Sequence, residues 1–106
     1  MSSGGMAKMM KQLQKAQAEM SRMQEEIAQK TVESSSGGGA VRVTANGQKQ
    51  LISLQIEPEA LGEDNKEMLE DMIIAAVNEA FNRVDEMVAS EMQKLTGGLN
   101  LPPGMF

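Results

Sequence analysis

The chain has 106 residues, the size of a single domain, and a formal net charge of −5. It contains neither Cys nor His, which excludes disulfides and thiol chemistry and removes the usual zinc ligands and the commonest general base of enzymes. No apolar run is long enough to cross a bilayer, so we expect a soluble, cytoplasmic protein.

Charge is unevenly distributed along the chain. Residues 6–24 include four basic residues and one acidic residue, whereas residues 57–94 include eleven acidic and three basic residues. A basic segment attached to an acidic body indicates a polyanionic partner for the basic segment.

Residues 6–30 predict a first long helix, because they lack Pro and Gly and are rich in good helix formers. Apolar residues recur there at alternating spacings of three and four, which is typical of a helix–helix seam. After Met6, this predicted seam consists of Met9, Leu13, Ala16, Met20, Met23 and Ile27. We expect the seam to pack against another helix or a second copy of the chain. Membrane-surface binding is disfavoured because the stripe is narrow and lacks aromatic anchors.

Basic residues of the same helix form a row away from the seam. Lys8, Lys15 and Arg22 recur every seven residues on one face, about 10 Å apart, and Lys11 lies beside them. Flexible cationic side chains in such a row can neutralise phosphates without reading bases. The alternative is a solvated helix face with ordinary solubilising charges.

An Asn46-Gly47 pair between two segments of alternating polarity predicts a β-hairpin with a two-residue turn and positive φ at both positions. That turn would place Val41 opposite Ile52. The predicted core face of the hairpin then comprises Val41, Val43, Ile52, Leu54 and Ile56.

Two further elements flank the hairpin. Before it, residues 31–36 predict a short strand that leads into a flexible loop at residues 37–39. After it, a second long helix is predicted from near Asp64 to Gly97-Gly98, where paired glycines end a helix favourably. Its apolar stripe is wide as far as Phe81 and narrow beyond, so we expect its first half in the core and its second half projecting or meeting a partner.

The predicted fold is α+β in the order α-β-β-β-α: a three-stranded antiparallel sheet with two long helices, forming one domain over residues 1–106. Residues 1–5 and 99–106 are expected to be flexible tails. A sheet this small, with edge strands, favours pairing with a second chain.

No pattern in the sequence indicates a metal, a cofactor, a small-molecule substrate or a catalytic group. Acidic residues near Glu63 and Asp64 do not have the spacing of a calcium-binding loop and are better explained as helix-capping residues. We therefore expect a protein that is not an enzyme.

Several segments occur in a distinctive order: KQ at 11–12, MQEEIA at 23–28, VTANG at 43–47, IEPEAL at 56–61, DNKEMLEDMIIAAVNEAF at 64–81 and LPPG at 101–104. Together they resemble the YbaB/EbfC family of bacterial nucleoid-associated proteins, from about residue 9 to the end of the chain. The resemblance implies a tweezer-like homodimer in which paired helices project from a shared β body and grip double-stranded DNA.

The resemblance also implies a function at the nucleoid in the cytoplasm. Members of this family bind duplex DNA largely without sequence specificity, alter its conformation and organisation, and affect gene expression. The family's basic positions match Lys8, Lys11, Lys15 and Arg22, and polar positions of the second helix add Arg83 and Lys94. The competing interpretation is a coiled-coil-like homodimeric scaffold or adapter, because the acidic body repels DNA and could bind a basic protein.

Overall fold

A computed structural model describes the backbone of residues 3–98 and the side chains of residues 4–95. The elements are α1 (Ser3–Gln29), β1 (Thr31–Ser36), β2 (Val41–Asn46), β3 (Leu51–Ile56) and α2 (Lys66–Gly98), with 3-10 turns at Gly37–Gly39, Pro58–Ala60 and Glu63–Asn65. The strands form one antiparallel sheet in the order β1-β2-β3. The predicted α+β class and element order are therefore confirmed.

The first helix begins at Ser3 rather than at residue 6, so residues 3–5 are helical and do not belong to the predicted flexible tail. The remainder of the predicted tails, residues 1–2 and 99–106, lies outside the described residues.

The core lies between α2 and the first two strands. Alternate residues of β2 face the helix, and residues four apart on α2 face the sheet; the buried cluster comprises Val41, Val43, Ala45, Ala76, Ala80 and Val84. Two of its three helical members are Ala, which lets the helix axis approach the sheet closely. Half-buried Val88 packs against the same cluster, so the part of α2 that contacts the core extends beyond Phe81, further than the sequence predicted.

The glycine loop is attached to α2. Gly37 has φ +62°, a conformation that residues with side chains rarely adopt, and a methyl group added there would also displace the Met72 sulfur, so the position favours glycine. The neighbouring Ser36 hydroxyl donates a hydrogen bond to the Met72 carbonyl oxygen at 2.6 Å. These contacts fix the end of β1 against the start of the helix.

The hairpin differs from its prediction in turn type and register. Asn46 donates its N–H to the Gln50 carbonyl oxygen at 3.0 Å, and this bond encloses three residues, 47–49, instead of two. Lys49, at φ 64°, adopts the left-handed conformation in place of Asn46 and Gly47. The Asn46 side-chain oxygen accepts bonds from the Gln48 and Gln50 N–H groups at 2.9 and 3.0 Å, and so shapes the wider loop.

The predicted pairing of Val41 with Ile52 is consequently wrong. Val41 pairs with Ile56 and Val43 with Leu54, so these four residues share a face as predicted. An irregularity beside Thr44 and Ala45 leaves Ile52 outside the register.

The prediction that Ile52 and Leu54 lie on the core face is also wrong for the single chain, and Leu51, which that prediction did not include, is exposed as well. Leu51, Ile52 and Leu54 are 44%, 56% and 46% exposed. The reason is that α2 packs chiefly on β1 and β2 and leaves β3, one of the two edge strands, uncovered.

Candidate nucleic-acid interface

The first helix leaves the body and divides the predicted seam into two parts. At its C-terminal end Ile27 is buried, and Met20 and Met23 are half-buried. Further towards the N-terminus, Met9 and Leu13 are 62% and 58% exposed. Ala16 is exposed as well. The seam packs within the chain only at its end.

Every residue from 4 to 19 is exposed, and we call this segment the arm. At about 1.5 Å rise per residue it is about 24 Å long. The molecule accordingly measures 79 × 25 × 15 Å, and its radius of gyration of 21.3 Å is well above that of a compact domain of this length, about 13 Å.

The C-terminal end of α1 and the following Lys30, which we call the root of the arm, are held by three contacts. Lys30, just after α1, forms an ion pair with Glu91 of α2 at 2.8 Å. Ile27 lines a small cleft with Val88 and Met92. The hairpin turn closes the third side: a methyl group on Gly47 would overlap the Ile27 carbonyl oxygen. Glycine is thus required here by close approach of two backbones.

The Glu91 carboxylate is the electrostatic centre of this root. A hydrogen bond and the charge of Lys30, together with Lys94, hold its pKa below the ordinary value of 4.5, against an opposing effect of burial. Lys94 lies 3.7 Å from the same carboxylate oxygen. No local sequence pattern pairs Lys30 with Glu91, because 61 positions separate them, and neither residue was predicted as a site residue.

The arm presents cations without acidic partners. Lys8, Lys11 and Lys15 are exposed, and among the residues whose side chains the structure describes no carboxylate forms an ion pair with them. In the body, by contrast, the cations with an acidic partner within 4.0 Å are Lys30, Arg42, Lys49, Arg83 and Lys94. Body cations are therefore largely neutralised internally, with Lys66 as the exception in the described part of the chain.

The other predicted DNA-binding residues lie in different surroundings. Arg22 pairs with Glu26 at 2.7 Å and lies 3.8 Å from Glu19, so its charge is compensated locally. Arg83 pairs with Glu79 and donates a hydrogen bond to the Glu33 carbonyl oxygen, which joins α2 to the edge of the sheet. The structure brings Lys8, Lys11, Lys15 and Arg22 onto one helix but places Arg83 on the body.

Within residues 3–98, no helix is long and apolar enough to cross a membrane. Over the same described part of the chain, acidic side chains do not gather in a group that could hold a metal ion.

Known proteins resemble this chain in sequence and in fold. The sequence model described as the YbaB/EbfC DNA-binding family matches residues 2–99. A nucleoid-associated protein of Pelotomaculum thermopropionicum is 54% identical over 106 residues, and one of Desulforamulus reducens is 55% identical, each alignment covering 100% of both chains. The crystal structure of an uncharacterized protein of Helicobacter pylori is similar with a TM-score of 0.61 and 29% identity, covering 78% of this chain and 96% of that one. The family is described as DNA-binding, and the relatives from Pelotomaculum and Desulforamulus are described as nucleoid-associated; these descriptions name no enzymatic activity. With a match across nearly its whole length, the chain belongs to the YbaB/EbfC DNA-binding family.

Proposed function

We propose that the chain is a nucleoid-associated protein that acts in the cytoplasm, at the nucleoid, as a homodimer whose arms bind the phosphates of double-stranded DNA. The observation that carries this proposal is the set of lysines on the exposed arm that lack acidic partners: Lys8, Lys11 and Lys15. The names of the relatives, nucleoid-associated proteins, support the same partner.

Phosphate contact explains how an acidic protein binds a polyanion. The arm, with three lysines and one glutamate, has a net charge of +2, so the rest of the chain carries −7 of the total of −5, and the arm extends away from that negative charge. At physiological ionic strength charges interact appreciably over about 8 Å, which is short compared with the arm. The arm therefore presents a local positive potential to DNA although the whole molecule is negative.

Binding of this kind selects charge and spacing rather than base sequence. Lysine ammonium groups are flexible point charges that position a protein on the duplex without reading base edges. Two arms with three lysines each would release counterions from about six phosphates, which costs on the order of a thousandfold in affinity between 50 and 200 mM salt.

A second copy is required to hold a duplex between two arms. The edge strand β3 supplies a surface for it, with unpaired backbone groups and the exposed side chains of Leu51, Ile52 and Leu54. Pairing there would bury the apolar residues that α2 leaves uncovered and would carry both arms on one body. Two arms on one duplex would alter the conformation and organisation of the DNA.

The test is a gel-shift titration on several unrelated duplexes at low and moderate salt. Wild-type protein is expected to retard all of them with similar affinity, and Lys8→Glu with Lys15→Glu to abolish retardation while sedimentation still shows a dimer. The matched control, Arg42→Glu with Lys66→Glu, makes the same charge change outside the arm and should retain most of the affinity. Unchanged affinity in the arm variant would refute the proposal, and absence of retardation at low salt would favour the scaffold alternative.

A further inference from the structure

The end of the body far from the arm contains a groove with an apolar floor and acidic rim. It encloses about 540 Å³ between the glycine loop, the turn after β3 and the start of α2. Among its lining residues, we call the apolar side chains of Met68, Met72 and Ala60 its floor and the exposed carboxylates of Glu57 and Glu59 its rim. We call it the acid-rimmed groove.

The groove exposes an apolar side chain and carboxylates that could contact a segment with apolar and basic residues. Met68 is 57% exposed although it lines the groove. Glu59 forms no ion pair with a described residue, and Glu57 has Arg42 at 4.0 Å, the longest ion pair of the described residues. Glu63 and Asp64, both exposed, follow in the next turn and extend the negative charge.

The arm has the complementary chemistry. Its first turns read Met6-Ala7-Lys8-Met9-Met10-Lys11, an alternation of methionines and lysines with no acidic residue. Met6, Met9 and Met10 are 71%, 62% and 57% exposed, and nothing in the described chain covers them. Contact with phosphates would use the lysines but leave these methionines in water.

The topology places the arm and the groove at opposite ends of the molecule. The root of the arm lies beside the hairpin turn and the start of β1, whereas the groove lies where β1 and β3 end and α2 begins. In a molecule 79 Å long, an arm that projects away from the body does not reach its own groove. The occupant that fits is therefore the arm of another copy.

We propose that the acid-rimmed groove binds the N-terminal turns of the arm of a second copy, with the arm's methionines on its floor and Lys8 and Lys11 against its acidic rim. The two surfaces differ, so the contact is head-to-tail and continues into open chains unless its rotation closes a ring. The same lysines serve DNA under the proposed function, so docking in the groove and binding to phosphates exclude each other on a given arm.

Sedimentation velocity of the full-length protein at about 50 and 300 mM salt tests the docking without DNA. Wild-type protein is expected to form species larger than a dimer at low salt, increasing with concentration, and to lose them at high salt because exposed charges are screened. Glu57→Lys with Glu59→Lys should abolish the larger species. Glu70→Lys with Glu86→Lys, which makes the same charge change at exposed positions outside the groove, should not.

Reversing the charges of both surfaces, each in a different variant, distinguishes specific docking from a general effect of net charge. Lys8→Glu with Lys11→Glu reverses the arm and should also abolish the larger species. Mixing this arm variant with the groove variant restores opposite charges at every contact and should restore large species that neither variant forms alone. Circular dichroism of both variants, with the helix content of the wild type, shows that the fold is retained.

Three results would overturn the proposal: wild-type protein of constant size at low salt, equal dispersal by the control pair, or failure of the mixture to reassemble. The groove variant should bind duplex DNA at least as tightly as wild type, since its arms are intact. Loss of assembly with retained DNA binding thus distinguishes docking from the proposed function. The proposed function fails instead if wild-type protein does not bind DNA, or if Lys8→Glu with Lys15→Glu leaves the affinity for DNA unchanged.

Discussion

Gly47 shows how a local pattern identifies the correct residue for the wrong reason. Its position after Asn46 predicted a two-residue turn with positive φ, yet Lys49 takes the left-handed conformation. Gly47 is needed because its α-carbon approaches the end of α1, with the Ala28 α-carbon 3.0 Å from where a side chain would begin. A sequence window of ten residues contains the turn but not the helix that packs on it.

Gly47→Ala is expected to destabilise the protein by about 1–3 kcal/mol, because the added methyl must displace the end of α1. It should also weaken DNA binding by changing the direction of the arm. Urea unfolding and gel-shift titration measure the two effects. Gly5→Ala, which meets open space within a helix, should leave stability equal or higher; equal effects of the two substitutions would exclude close approach as the reason for glycine at position 47.

Ser34 is a buried polar residue that no sequence pattern distinguishes from its neighbours. It is 4% exposed, and its hydroxyl has no hydrogen-bond partner among the described residues. Ser34→Ala should therefore raise the free energy of unfolding by about 1 kcal/mol, because an unsatisfied hydroxyl leaves the core. Ser35→Ala, its exposed neighbour, should change it by less than about 0.5 kcal/mol. A lower midpoint of urea unfolding for Ser34→Ala would show that the hydroxyl contributes to the fold.

At the scale of elements, periodicity predicted which segments are helices and which are strands. It did not predict how much of each element is covered by the element that packs on it. The helical conformation predicted for residues 6–29 is confirmed, yet within the predicted seam Ile27 is buried while Leu13 is 58% exposed, because only the end of α1 lies near α2. The alternation of β3 likewise placed Leu54 and Ile56 on the side of Val43. It could not show that α2 stops short of this strand.

In the candidate site, too, contacts within one helix could be predicted from the sequence, whereas contacts between elements could not. The seven-residue spacing placed Lys8 and Lys15 on one exposed helix face, because helical geometry fixes that relation locally. The neutralisation of Arg22 by Glu26 was also within reach of the sequence, since four residues separate them. The contact of Arg83 with Glu33 was not, because it depends on how α2 crosses the sheet.

The root of the arm should depend on pH through Glu91. Its folded-state pKa lies below the ordinary value of 4.5, so its contribution to stability is present above that value and is lost as the pH falls through the lower folded-state pKa. Urea unfolding of wild type and Glu91→Gln from pH 3 to pH 7 should show a stability difference that is constant above about pH 5.5 and decreases below pH 4.5. A difference that grows on acidification would contradict the lowered pKa.

At the scale of the whole molecule, the edge strand β3 forms the interface of the proposed homodimer. Leu51→Glu with Leu54→Glu should convert the dimer into a monomer, because two carboxylates would enter the interface at each β3 edge. Sedimentation equilibrium at 300 mM salt measures the mass. Ile74→Glu, at a residue 59% exposed on α2, should leave the dimer intact; the reverse result would place the interface on α2.

The most direct test of phosphate binding by the arm is the slope of log affinity for duplex DNA against log salt concentration. Wild-type protein is expected to give a slope of about −5, because six lysines of a dimer each release close to one counterion. Lys8→Ala, Lys11→Ala and Lys15→Ala together should bring the slope close to zero. A triple variant that kept the slope of the wild type would show that DNA is bound elsewhere on the molecule.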